Sequence, residues 1–112
     1  MADDDPSDAL LHDMLAYSEE AVVIIGHLAY ERYSGDRIRM LAVERVLEIV
    51  AEAARHVGET RQLALAEIPW KKIIGQRNVL AHVYGEIDHF QLYRTVREDL
   101  PLLIANLRKR VA

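Results

Sequence analysis

Apolar residues recur at spacings of three and four along almost the whole chain, the period of helices that bury one face. Leu10, Leu11, Met14, Leu15, Ala21, Val22, Ile25, Leu28 and Ala29 hold one phase. They predict a first helix to about Tyr33, opened by Ser7 or Asp8 and stopped by Ser34-Gly35, with Gly35 as left-handed cap. Asp36 is placed to cap a second helix, whose buried stripe is Ile38, Leu41, Ala42, Val46, Ile49, Val50, Ala53 and Val57 and whose stop is Gly58. Residues 59–67 are weakly periodic and fit a short helix or a loop, with Thr60 as a candidate cap. Ile68-Pro69-Trp70 opens a third main helix that runs to about His82. Trp70, Ile73, Ile74, Val79 and Leu80 would pack inward, and Gly75 would permit a close neighbour.

Asp88 can cap a last helix built on Phe90, Tyr93, Val96, Leu100, Leu103, Ile104 and Leu107. Pro101 falls inside it, so a kink or a restart capped by Asp99 is expected. No strand pattern and no internal repeat interrupts these elements. The expected fold is all-α, an antiparallel up-and-down bundle of four principal helices plus a short extra helix. Residues 8–112 would form a single domain behind a flexible acidic tail, residues 1–7.

Composition narrows the chemistry. The 112 residues contain no cysteine, which excludes disulfides, thiolate zinc sites and a cysteine nucleophile and fits a reducing cytoplasm. The longest apolar run, Ala21 to Ile25, is far too short to span a membrane. The acidic start, MADDDPSD, does not read as a signal peptide. The histidines outside the cluster described next are scattered, so no metal site and no cofactor is expected, and no phosphate-binding glycine loop is present. Net charge is −4, but the basic residues concentrate late. Residues 70–112 hold eight Lys and Arg against four Asp and Glu, so an anion would be drawn to that half.

That half contains the one polar insertion in the apolar pattern, QRNVLAHVYGEID from Gln76 to Asp88. Arg77, Asn78, His82 and Tyr84 fall within it. Asn78 and His82 are four apart and stack on one helix face. Arg77 and His82 are five apart, about 140° around an ideal helix, and do not point the same way. Either the helix ends near His82 and the ring swings back, or Arg77 of one copy faces His82 of a second copy; the second arrangement is preferred. Lys71, Lys72, Arg94 and Arg97 would form an anion-friendly rim.

Arg77 to His82 spells R-x-x-x-x-H, followed by Tyr84 in H-x-Y. With Asp36, Ala42-Val43-Glu44-Arg45, Glu52-Ala53 and Glu98-Asp99-Leu100-Pro101, nearly the whole chain resembles the HEPN helical domains, in particular the small HepT-like branch. The resemblance implies a homodimeric, metal-independent endoribonuclease, the toxin of a toxin–antitoxin pair. It implies that Arg77 and His82 are catalytic and meet at the dimer interface, with Asn78 in support. The implied partner is a minimal nucleotidyltransferase antitoxin that transfers AMP to Tyr84. The acidic net charge is the feature that fits an RNA substrate least.

RNA carries its own nucleophile, the 2′-hydroxyl, so neither a metal nor an enzyme nucleophile is required. Histidine exchanges protons near neutral pH, which suits His82 as the acid–base group. Arginine stays charged and offers a planar fork to the scissile phosphate, which suits Arg77. The alternative is a catalytically silent dimeric helical module that binds its nucleotidyltransferase partner or a nucleotide, with Arg77 and His82 as interface groups.

Overall fold

A computed structural model of the chain describes residues 5–80 and 87–111, and of residues 77–79 the backbone alone. The described residues are helical, with no strand among them. In chain order they form α1 (Asp8–Ile25), α2 (Tyr30–Tyr33), α3 (Arg37–His56), α4 (Glu59–Ala64), α5 (Trp70–Leu80) and α6 (His89–Arg94). A π-helical turn, Thr95–Asp99, then joins α6 to α7 (Leu100–Arg108). Helices α1, α3, α5 and the run α6 to α7 are the four principal members of the expected bundle.

Side-chain contacts between helices fix their directions. Arg39, at the start of α3, donates to the Ile24 carbonyl at the end of α1, 3.0 Å away, so these two helices run in opposite senses. On the other side, Lys72 meets Asp99 and Gln76 meets Thr95, so α5 and the last helix also run antiparallel. The core lies between α1, α3 and α7. Leu11, Met14 and Ala21 of α1, Val43 and Ala54 of α3 and Leu107 of α7 are all at 0% exposure. Their three- and four-residue spacing put them on single faces, as the pattern required.

Local chemistry sets the helix boundaries. The Asp36 carboxylate accepts from the Arg39 amide at 3.0 Å and caps α3. The Asp88 carboxylate does the same for Gln91 and caps α6. Gly58, at φ 93°, takes the chain out of α3 and occupies the position before α4, where Thr60 was expected. Ser7 makes no side-chain cap bond to α1; it instead joins Asp5 and the Arg61 guanidinium, which also holds Asp8 at 2.9 Å.

The first helix is shorter than its pattern predicts. It stops at Ile25, and Gly26 at φ 57° turns the chain, whereas Gly35 has no left-handed conformation. Leu28 and Tyr30 keep the apolar phase from outside the helix, because both still pack on the core after the break. The break frees the Leu28 carbonyl, which accepts from the Tyr93 hydroxyl at 2.7 Å and from Arg97 at 2.9 Å. Val22, Ile38, Leu41 and Phe90, all in the predicted stripes, are exposed. Ile38 and Leu41 stand out at 82% and 45%, since the four-residue α2 is too short to cover the first turns of α3. Among the described residues, Gly75 has no neighbour within 4 Å of where a Cβ would sit.

Pro101 is accommodated by widening the helix before it. The Leu100 amide donates to Thr95, five residues back, and Pro101 then lies in the first turn of α7, where its missing N–H costs nothing. Asp99 makes no cap bond there. Its carboxylate turns to Lys72 at 3.1 Å.

Candidate functional site

Helix α5 carries the first half of the polar cluster. Pro69 precedes it, and Trp70 anchors its start, donating from Nε1 to the Leu65 carbonyl at 3.1 Å while only 8% exposed. Arg77 and Asn78 lie in its last turns, on backbone that is helical to Leu80. Their side chains, Val79's, and His82 and Tyr84 entirely lie outside the described residues, as does the predicted end of the helix near His82.

The chain resumes at Ile87 and enters α6, so α5 and α6 flank the stretch that holds His82 and Tyr84. Between these two helices runs a groove of about 560 Å³. Lys71, Lys72, Gly75 and Gln76 form its α5 wall; Asp88, then Phe90, Gln91 and Arg94 of α6, and Thr95, Glu98 and Asp99 of the π-helical turn form the other. Gln76 donates to the Thr95 hydroxyl across the groove floor at 3.5 Å. Three of the four residues expected on a basic rim therefore do share one groove. Arg97 does not line it; its guanidinium lies over the Tyr93 ring at 5.4 Å and donates to Leu28.

The groove is not a bare row of cations. Lys72 pairs with Asp99, and Arg94 forms a two-pronged contact with Glu98, both bonds 3.2 Å. The hydrogen bond to Glu98 holds Arg94 more firmly protonated than an isolated arginine. Lys71 has no ionic partner among the described residues. The carboxylates that neutralise Lys72 and Arg94 come from the π-helical turn, and nothing in the sequence spacing around Lys71 and Lys72 signalled them.

A second cleft, about 140 Å³, lies between α3 and the end of α5, lined by Leu41, Glu44, Arg45, Glu48 and Leu80. The pattern put Glu44 on a solvated face, but its side chain is only 21% exposed and faces His89 Nε2 at 3.6 Å. Nearby, the Tyr33 hydroxyl and His89 Nδ1 are buried without a hydrogen-bond partner among the described residues. Burial, and secondly the Glu44 charge, push the Tyr33 phenol far above its ordinary range. The pairing of Glu44 with His89 joins two helices far apart in sequence, so no local signal announces it. Among the described residues, no three His, Cys, Asp or Glu side chains are grouped to hold a metal ion. None of the described helices is long and apolar enough to cross a membrane.

An all-helical bundle with an Arg-Asn pair near the end of its third principal helix, followed in sequence by H-x-Y, is the HEPN class of domain. The profile of the family described as ribonuclease HepT-like matches residues 14–110, and the chain belongs to that family. Its relatives include a Methanocaldococcus jannaschii protein provisionally named an RNase, 32% identical over 93 residues, covering 83% of this chain and 85% of the relative. A Thermococcus cleftensis protein provisionally named ribonuclease HepT is 32% identical over 101 residues, covering 87% and 92%. A Caldanaerobacter subterraneus protein, also provisionally named an RNase, is 26% identical over 93 residues, covering 83% of each. No solved structure is matched significantly.

Proposed function

We propose that this chain is a ribonuclease, a metal-independent endonuclease acting in the cytoplasm as the toxin of a toxin–antitoxin pair. The observation that carries the reading is a conjunction. A HepT-like sequence match over residues 14–110 coincides with Arg77 and Asn78 on a helix that walls a groove containing Lys71, Lys72 and Arg94. In this reading His82 takes the 2′-hydroxyl proton, O2′ bonds to phosphorus and the P–O5′ bond breaks. The departing 5′ oxygen gains a proton, leaving a 2′,3′-cyclic phosphate and a 5′-hydroxyl. Arg77 stabilises the additional negative charge on the phosphorane oxygens, and Asn78 supports the geometry.

The active unit is a homodimer, with Arg77 of one copy beside His82 of the other. Support comes from the apolar residues left uncovered at one end of the bundle: Val23 at 76%, Ile38 at 82% and Leu41 at 45% exposure. Leu41 borders the same cleft as Leu80, so a second copy seated there would also approach the end of α5. The antitoxin is a minimal nucleotidyltransferase that forms a phosphodiester between AMP and the Tyr84 oxygen, with pyrophosphate leaving from the nucleotide donor. Added bulk and negative charge two residues from His82 would then block RNA entry.

The test is expression without the antitoxin, with RNA cleavage followed in buffer containing a chelator. Wild type should cut, while Arg77→Ala and His82→Ala should fall by about 10²–10⁴-fold with unchanged helical content. A folded wild-type dimer that cuts no RNA would favour the other reading, a silent module that binds its nucleotidyltransferase partner or a nucleotide. The neutralised cations of the groove are the observation in favour of that second reading.

A further inference from the structure

The groove between α5 and α6 combines two features that its charge alone does not explain. The first is Phe90. Its position in the apolar pattern predicts burial, yet its ring is 48% exposed and lines the groove. The ring is braced from behind by Tyr30, edge-on at 4.9 Å, and Arg94 lies over it at 5.9 Å. An exposed, braced aromatic beside cations and the amide of Gln76 is the kind of surface on which an unpaired base stacks while its neighbours' phosphates are held. A duplex keeps its bases stacked on each other and cannot use such a ring.

The second feature is the pairing of the groove's cations. Lys72 and Arg94 are 64% and 58% exposed, so water screens the contacts to Asp99 and Glu98. Screened pairs of this kind exchange readily for a phosphate, whose oxygens offer the same acceptors with more charge. The carboxylates are displaced rather than bridged, because they repel the incoming phosphate.

Building on the ribonuclease reading above, we infer that this groove selects single-stranded RNA. One base stacks on Phe90, and two phosphates replace Asp99 and Glu98 as the partners of Lys72 and Arg94. The acidic residues thus act as internal competitors that weaken RNA binding. With Lys71, Lys72 and Arg94 set against Asp88, Glu98 and Asp99, the described lining of the groove is near neutral at rest.

The experiment measures binding, in a His82→Ala background that does not cut, of a short fluorescein-labelled single-stranded RNA and of the same RNA annealed to its complement. Glu98→Gln with Asp99→Asn should tighten single-strand binding by about three- to tenfold and steepen its salt dependence, because two cations become free for phosphate. Glu19→Gln with Glu67→Gln is the matched control. It removes the same charge and frees Arg108 and Arg110, which lie off the groove, and should change little. Phe90→Leu should weaken single-strand binding by about tenfold and leave the duplex unchanged, while Phe90→Trp should preserve it. Equal tightening by the two glutamine-bearing pairs would reduce the effect to net charge and overturn the inference. So would equal weakening of single strand and duplex by Phe90→Leu. If RNA is cut by the active protein with a KM that Phe90→Leu does not move, the inference fails and the ribonuclease reading stands. If no form binds RNA, both fail.

Discussion

The seam between α1 and α3 and the seam between α5 and the last helix are held by different physics. In the first, α3 meets a face of α1 wholly removed from water, with Leu11, Met14 and Ala21 at 0% exposure. Toward α5 it meets Ile73, Ile74 and Leu80, which are only partly buried. Helix α5 is then tied to the last helix by Gln76–Thr95 and Lys72–Asp99, a 3.5 Å hydrogen bond and an exposed ion pair. The first seam draws on apolar burial, which is insensitive to salt and costly to disturb. The second draws on polar contacts that exchange with water or a phosphate at little cost. Arg77 and Asn78 lie on α5, one member of the second. A site that must admit a polyanion is better built where the existing partners are replaceable.

The largest test of this contrast is a truncation in each seam. Leu11→Ala should cost about 2–5 kcal/mol, because the surrounding α1–α3–α7 packing cannot collapse fully into the space. Lys71→Ala, on the groove wall, should stay within about 0.5 kcal/mol. Urea unfolding of both variants measures this. A Leu11→Ala loss no larger than that of Lys71→Ala would mean that the two seams do not differ in kind.

How much of this could be read from sequence follows the range of each determinant. Asp36, Gly58 and Asp88 were legible because a cap or a left-handed turn is decided within a few residues. The end of α1 was not, since Leu28 and Ala29 continue the helical phase beyond Gly26. The groups that satisfy the freed Leu28 carbonyl, Tyr93 and Arg97, are 65 and 69 residues away. Pro101 announced a disturbance, but whether a kink, restart or π turn results depends on packing against α5. The same holds for the site. Arg77 and Asn78 fall on α5 as expected, and Lys71, Lys72 and Arg94 share a groove. Glu98 stands four residues after Arg94 and was within reach of a local reading, whereas the pairing of Lys72 with Asp99, the exposure of Phe90 and the burial of Glu44 arise only when distant helices meet.

A middle-sized effect probes the groove's far wall. Asp88 caps α6 and stands just after the stretch that holds His82 and Tyr84. Asp88→Ala should cost about 1 kcal/mol through the lost bond to the Gln91 amide. Asp36→Ala loses the equivalent bond in α3 and should cost a similar amount. If the α6 wall is the part that matters for RNA, equal losses of stability should accompany unequal losses of cleavage, larger for Asp88→Ala. Equal cleavage losses would assign both effects to stability alone.

The smallest effect separates one copy from two. Gly75 lies inside α5, on the groove wall, and among the described residues a Cβ added there would meet nothing within 4 Å. In that setting glycine only adds backbone freedom to the unfolded state. Gly75→Ala should therefore stabilise an isolated chain by about 0.5–1 kcal/mol. If a second copy instead packs its backbone against this turn of α5, the added methyl group would clash with it. Stability would then rise at low protein concentration, where single chains dominate, and fall at high concentration, where the dimer contributes. Thermal unfolding across a dilution series distinguishes the cases by sign. A rise at every concentration would keep the dimer contact away from Gly75 and leave the groove open to RNA. A fall only in the concentrated samples would move the two-fold seam onto the groove wall, where Phe90 and Lys72 would face the second copy.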